Sequence, residues 1–290
     1  MLVLELAYMG ELDFIKELQD LKTLLKEKNI VIGLVERIEG EFHIVKVMTE
    51  EAREKEEAFE KIKLYVSHML YKFVIRNYKE KELFEFLWDT YFFLKGEDVI
   101  EAEKRIMETL NSENSIKDEE DIYCQNKING IVEKIKNCLE EENYLNINGF
   151  ITFRMKALRE DIEKIIDKTV QKYMVEKEYN EFIKLLKYFV DIQESKIEKI
   201  HIYINNDGNY ILRDNDGIDL LKEFSKDLNG SKIGNDVNVE DVIISGLITN
   251  APKEILIYHK ELCTNREFLD TIEKVFVERV KFLEFSREIN

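Results

Sequence analysis

A single proline and eleven glycines stand in 290 residues, so breakers are scarce and long helices joined by polar turns are expected. The cysteines, Cys124, Cys138 and Cys263, are odd in number and scattered, which excludes a disulfide framework and a CxxC metal knuckle. The four histidines, His43, His68, His201 and His259, fall in no HExxH or HxH spacing. GxGxxG, GxxxxGK[ST] and GxSxG are all missing, so nucleotide-binding and serine-hydrolase folds lose their usual signals. No metal or cofactor is expected. No apolar run reaches the roughly eighteen residues needed to cross a bilayer; even LFEFLWDTYFFL, Leu83 to Leu94, carries Glu85 and Asp89. Met1 to Gly10 is interrupted by Glu5 and lacks the basic flank of a leader, so neither export nor membrane insertion is expected. A reducing cytoplasm is the expected compartment.

What is present is 44% hydrophobic and 36% charged residues with a net charge of −17. That balance supports a core and keeps it soluble, in one large domain or two small ones. The patterning predicts an α+β fold, predominantly helical, in three stretches. Residues 1–50 read as a small β-α-β-β unit: LVLEL is a strand, and Leu12, Ile15, Leu18, Leu21, Leu24 and Leu25 recur at helical spacing. Ile30–Arg37 and Glu41–Val47 then form a hairpin cornered at Glu39-Gly40. Residues 51–197 read as a helical region. Thr49 is a candidate N-cap, Phe59, Ile62, Val66, Leu70, Phe73 and Val74 line one face, and further helices are expected at about 81–94 and 98–110. The aromatic run at Leu83–Leu94 reads as bundle core, with an exposed partner groove as the alternative. NSENSIKDEED, 111–121, is a polar break. Two helices fill 119–193 around a turn at Asn143–Gly149, the second dividing near Glu176. Residues 198–290 read as a mixed α/β unit that packs with the helical region. KIHIYI and NYILR make a hairpin, helices follow at 219–228 and 239–250, Pro252 closes the latter, and EILIY, a helix from Arg266 and VKFLEF complete the unit. Whether the two terminal β units share one sheet is open at this level, as is oligomeric state.

Three constellations carry candidate chemistry. Asp214, Asp216, Gly217 and Glu223 echo an EF-hand loop, but its first place is Leu212 and a strand precedes it, so a polar turn with Asp capping the next helix is the better reading. Cys263 and His259 are close in sequence, which does not establish a nucleophilic pair. Residues 150–197 hold ten Lys or Arg and nine Asp or Glu, so the rest of the chain carries −18. Within them Arg154, Lys156, Arg159, Lys164, Lys168 and Lys172 form a basic stripe suited to phosphates. Glu160, Asp161, Glu163 and Asp167 are interleaved with it, which equally describes a salt-bridged solvated face.

The wording of the middle and C-terminal segments resembles the YtxC-like family, described as sporulation proteins, over roughly residues 60 to 285. The most specific parts are Gly149-Phe150-x-x-Phe153-Arg154, Glu176-x-Glu178-Tyr179-x-x-Phe182 before LLKYF, and SGLIT-x-APKEI. The resemblance implies a soluble protein of endospore-forming Gram-positive bacteria, and the Lys, Ile, Asn and Glu bias suits an AT-rich genome. It implies no established reaction, cofactor or active site. A cysteine-containing tail after the RV pair is associated with several members; here Arg279-Val280 is followed by KFLEFSREIN, so a metal or redox role for the tail has no support. The leading expectation is a non-catalytic protein acting through a protein partner in sporulation. One alternative is an enzyme using Arg154, Glu178, Tyr179 and His201 as anion binder, base, hydroxyl and imidazole. The other is nucleic-acid binding through the basic stripe.

Overall fold

The computed structural model describes residues 2–9, 14–27, 30–49, 55–113, 115–141, 143–229 and 238–283. The fold is α+β and mainly helical, and the described strands form two separate four-stranded sheets, one drawn largely from each end of the chain. Two compact units result, Met1–Met174 and Val175–Asn290.

In the first unit, β1 (Leu2–Met9), α1 (Phe14–Glu27), β2 (Ile32–Glu39) and β3 (Phe42–Thr49) follow the expected order. Gly40 turns the β2–β3 corner at φ +64°, a conformation glycine adopts without a Cβ penalty. β1 is central: Leu6 pairs antiparallel with Val45 of β3 and parallel with Leu145 of β4 (Tyr144–Asn146). Its near-continuous apolar sequence suits that place. α1 buries Phe14, Leu18, Leu21 and Leu25 against the core, each worth roughly 1.5–3 kcal/mol of burial. Thr49 ends β3, its hydroxyl donating to the Val31 carbonyl at 3.3 Å; the helix start it was expected to cap lies outside the described residues. The polar stretch that holds Ile116 and Asp118 links the helices Gly96–Leu110 and Glu119–Glu141.

The next helix is longer than its expected boundaries. α2 (Lys55–Tyr78) passes through a π-helical turn, Lys79–Leu83, into α3 (Phe84–Thr90) with no break. Its buried positions explain the turn: Ile62, Val66, Leu70, Val74 and Tyr78 recur every four residues, the step to Leu83 is five, and Leu87 resumes four. One extra residue wound into the helix brings Leu83 and Leu87 to the side of the helix that Val74 and Tyr78 bury. The expected separate helix at 81–94 is therefore the continuation of α2, and it ends at Thr90. The aromatic run is also corrected. Leu83, Leu87 and Leu94 enter the core, whereas Phe84, Trp88, Phe92 and Phe93 are exposed.

α4 (Gly96–Leu110) is capped by Asp98, which accepts from the Lys95 N–H at 3.3 Å and from the Tyr173 hydroxyl at 2.7 Å. α5 (Glu119–Glu141) leads into β4, a strand where a plain turn was expected, and then into α6 (Ile147–Ile192), 46 residues long. Asn146 accepts from the Gly149 N–H at 2.9 Å, and Asn148 clasps Met9 through both its amide groups, at 2.7 and 3.3 Å. These contacts explain the chemistry of the NINGF segment. No break divides α6 near Glu176, because no glycine or proline stands between Phe150 and Ile192. The shift of apolar pattern there marks where the buried set passes from one core, ending at Tyr173, to the other, beginning at Ile183.

In the second unit β5 (Lys199–Ile204), β6 (Tyr210–Asp214), α7 (Leu221–Asn229), α8 (Val239–Asn250), β7 (Glu254–Tyr258), α9 (Arg266–Phe276) and β8 (Val280–Leu283) form a sheet of order β6-β5-β7-β8 and its covering helices. Gly208 turns the β5–β6 hairpin at φ +79°. Ile200, Ile202, Leu212, Ile255 and Ile257 meet Phe224, Ile243, Leu247 and Ile272 of the helices in one core. Asp214 accepts from the N–H groups of Asp216 and Ile218, both at 2.9 Å, and Asp219 accepts from that of Leu221 at 3.1 Å. The EF-hand-like segment is thus built as a polar turn leading to a capped helix. The last residues of the expected VKFLEF run, Glu284 and Phe285, lie outside the described residues.

Candidate functional site

The basic stripe lies along α6, and most of it is already paired. Arg159 binds Glu82 and, at 3.3 Å, Glu163; Lys164 binds Glu160 at 2.6 Å; Lys168 binds Glu120 at 3.4 Å; Lys172 binds Asp118 at 2.5 Å and Asp121 at 2.8 Å. A phosphate would have to displace these carboxylates. Arg154 and Lys156 are exposed and make no ion pair among the described residues. A surface cavity of about 550 Å3 beside the stripe is lined by Glu119, Glu120, Asp167, Lys164, Lys168 and Tyr123, so it carries charges of both signs.

Arg159 also borders a buried polar node at the π-helical turn. Burial, then the Glu163 carboxylate, pushes the Tyr78 hydroxyl far above its ordinary range, while Arg159 opposes them. That hydroxyl is buried without a hydrogen-bond partner among the described residues. Tyr91 is better served, donating to Asp167 at 2.5 Å. An orphaned buried hydroxyl costs about 1–3 kcal/mol. Tyr78→Phe is therefore expected to leave the protein as stable or about 1 kcal/mol more stable in urea unfolding; a loss beyond that would show that the hydroxyl has a partner.

The catalytic candidates of the second unit use different partners. The Tyr179 hydroxyl meets Thr271 Oγ1 at 3.0 Å, and Lys274 Nζ lies 5.0 Å from its ring centroid. His201 Nδ1 meets the Tyr258 hydroxyl at 3.0 Å and Nε2 meets Asn215 at 3.4 Å, its ring lying parallel to those of Tyr203 and Tyr258. Glu178 is exposed on α6, and Arg154 belongs to the first unit. Cys263 donates to the Asn265 carbonyl at 3.1 Å, whereas His259 reaches Glu261 at 3.3 Å.

Near His201, on the same sheet, Glu254 sits between Lys199 and Lys281, each at 2.6 Å. Hydrogen bonds from those two ammonium groups hold its carboxyl at about 2. A folded-state value below the unfolded one stabilises above the ordinary carboxylate range and loses that contribution as pH falls towards the folded value. The Glu254 carboxylate signal is expected to titrate near its depressed value by NMR and to move back upwards in Lys281→Ala. An ordinary midpoint in the unsubstituted protein would contradict the pairing.

What remains unaccounted for is apolar. Along the second-unit part of α6, Tyr179, Ile183, Leu186 and Val190 pack on the core. Beside them Phe182, Leu185, Tyr188, Phe189 and Ile192 are 49–60% exposed. Isolated exposed apolar residues need no explanation, but a contiguous set on one helix marks a contact surface. Sequence reading held the signal, since FIKLLKYFVDI has more apolar residues than one buried face accommodates, yet it did not separate the buried set from the exposed one.

No solved structure matches the chain. The "Uncharacterized protein YtxC" of Bacillus subtilis (strain 168) is 22% identical over 222 residues, which cover 77% of each chain. The YtxC-like family model matches residues 64–281, which include the SGLIT passage and all of α6. The chain belongs to the YtxC-like family.

Proposed function

We propose that the chain works non-catalytically, through protein contact, in sporulation as its family resemblance implies, and that the outer face of α6 is the contact surface. The observation that carries this is the exposed set Phe182, Leu185, Tyr188, Phe189 and Ile192 standing beside a fully packed face of the same helix. Burying it against a partner removes apolar area from water at about 25 cal/mol per Å2. The catalytic reading draws less support, because Tyr179 and His201 are engaged with different partners. The nucleic-acid reading draws less as well, because Arg159, Lys164, Lys168 and Lys172 are neutralised by nearby carboxylates. A photo-crosslinking residue placed at Leu185 should give a discrete protein adduct in sporulating cells, and the same residue at exposed Lys222 should not. No adduct at Leu185, or equal adducts at both, would overturn the assignment of the surface.

A further inference from the structure

We infer that the α6 surface binds a second copy of this chain, helix against antiparallel helix; this rests on the protein-contact reading and names its partner. Phe182, Leu185, Phe189 and Ile192 follow each other at steps of three, four and three, the spacing of a knobs-into-holes seam. An isologous pair repeats each contact about a twofold axis. With that axis beside Lys187, Phe182 faces Ile192 of the second copy and Leu185 faces Phe189, and both pairs recur by symmetry. The seam therefore closes on itself without a foreign partner.

The area is sufficient. Five large apolar side chains about half exposed present on the order of 100 Å2 each, hence roughly 1,000 Å2 across two copies, the lower bound for a specific interface. Lys184, Lys187 and Asp191 are exposed on the same stretch and keep it soluble.

Sedimentation of the purified full chain over a wide concentration range tests this. The expected mass is twice 34.6 kDa, with Leu185→Glu and Phe189→Glu each weakening pairing about 100-fold and leaving the circular dichroism spectrum unchanged. Leu185→Ser serves as a milder variant should a charge disturb the helix, and Phe84→Glu, on α3, should leave the mass doubled. In an oxidised mixture of Leu185→Cys and Phe189→Cys chains, the disulfide should join position 185 of one copy to position 189 of the other. A monomer at every concentration, or a dimer indifferent to Leu185 and Phe189 substitutions, overturns the inference; disulfides joining 185 to 185 and 189 to 189 instead overturn its antiparallel register. A monomer that still gives the Leu185 crosslink to a different protein in cells would defeat self-pairing and leave the protein-contact reading standing. A monomer with no crosslink would defeat both.

Discussion

Gly246→Ala is expected to destabilise the second unit by about 2 kcal/mol or more, although alanine is the better helix former by about 1 kcal/mol. A Cβ on Gly246 would lie 2.0 Å from Phe224 Cδ2 and 2.3 Å from Cγ. Phe224 is buried on α7 among the residues of the second core, so its ring has no free direction in which to retreat. α8 approaches α7 this closely only because position 246 has no side chain. This gives a physical reason for the glycine of SGLIT. In a double-mutant cycle, Phe224→Leu should cost stability alone and cost less, or restore some, beside Gly246→Ala. Additive losses measured by urea unfolding would show that ring and glycine do not oppose each other.

Leu83→Ala carries the second large effect, a loss of roughly 2–5 kcal/mol, while Phe84→Ala, one residue on, should change stability by no more than about 0.5 kcal/mol. Leu83 is 2% exposed and Phe84 66%. The contrast follows from the π-helical turn, which delivers Leu83 and not its neighbour to the face shared with Tyr78 and Val74. Deleting exposed Lys81 should convert that turn to ordinary helix while keeping Leu83 and Leu87 on the same face, so the deletion should be tolerated far better than Leu83→Ala. Equal losses for Leu83→Ala and Phe84→Ala would refute the assigned face.

These two sites also show what the sequence made legible. The β2–β3 corner at Glu39-Gly40 and the Asn205–Gly208 turn were readable because each needs a residue tolerant of positive φ. α8 was readable because Pro252 bounds it. The π-helical turn was readable in principle, as a single step of five in a series of fours from Ile62 to Leu87, but a polar KEKE stretch inside that step resembles a helix end. β4 escaped because three residues of a parallel strand leave no alternation to see. α6 was broken too early, because a change of core along an unbroken helix perturbs the apolar pattern much as a kink does.

The aromatic run was misread for a different reason. Periodicity tells which residues share a face, not whether that face is covered. Phe84 and Trp88 are four apart and stacked with ring centroids 6.1 Å apart, as regular a pair as Leu83 and Leu87, yet only the leucines reach the core. The same limit hid the outer set on α6. Charge was more transparent in part: Glu160 and Glu163, interleaved carboxylates noted from the sequence, pair with Lys164 and Arg159, whereas Lys168 and Lys172 find Glu120, Asp118 and Asp121, and Arg159 also finds Glu82 of the π-helical turn, partners that only tertiary packing supplies.

The most direct measurement of the proposed working surface is sporulation frequency in an endospore-forming host that lacks its own copy of the gene and carries variants of this chain. The double variant Leu185→Glu with Phe189→Glu, matched to the unsubstituted protein in abundance and melting temperature, is expected to fail. The double variant Arg154→Ala with His201→Ala is expected to restore sporulation. Full restoration by the first, or its loss only in the second, would contradict the assignment of function to the outer face of α6.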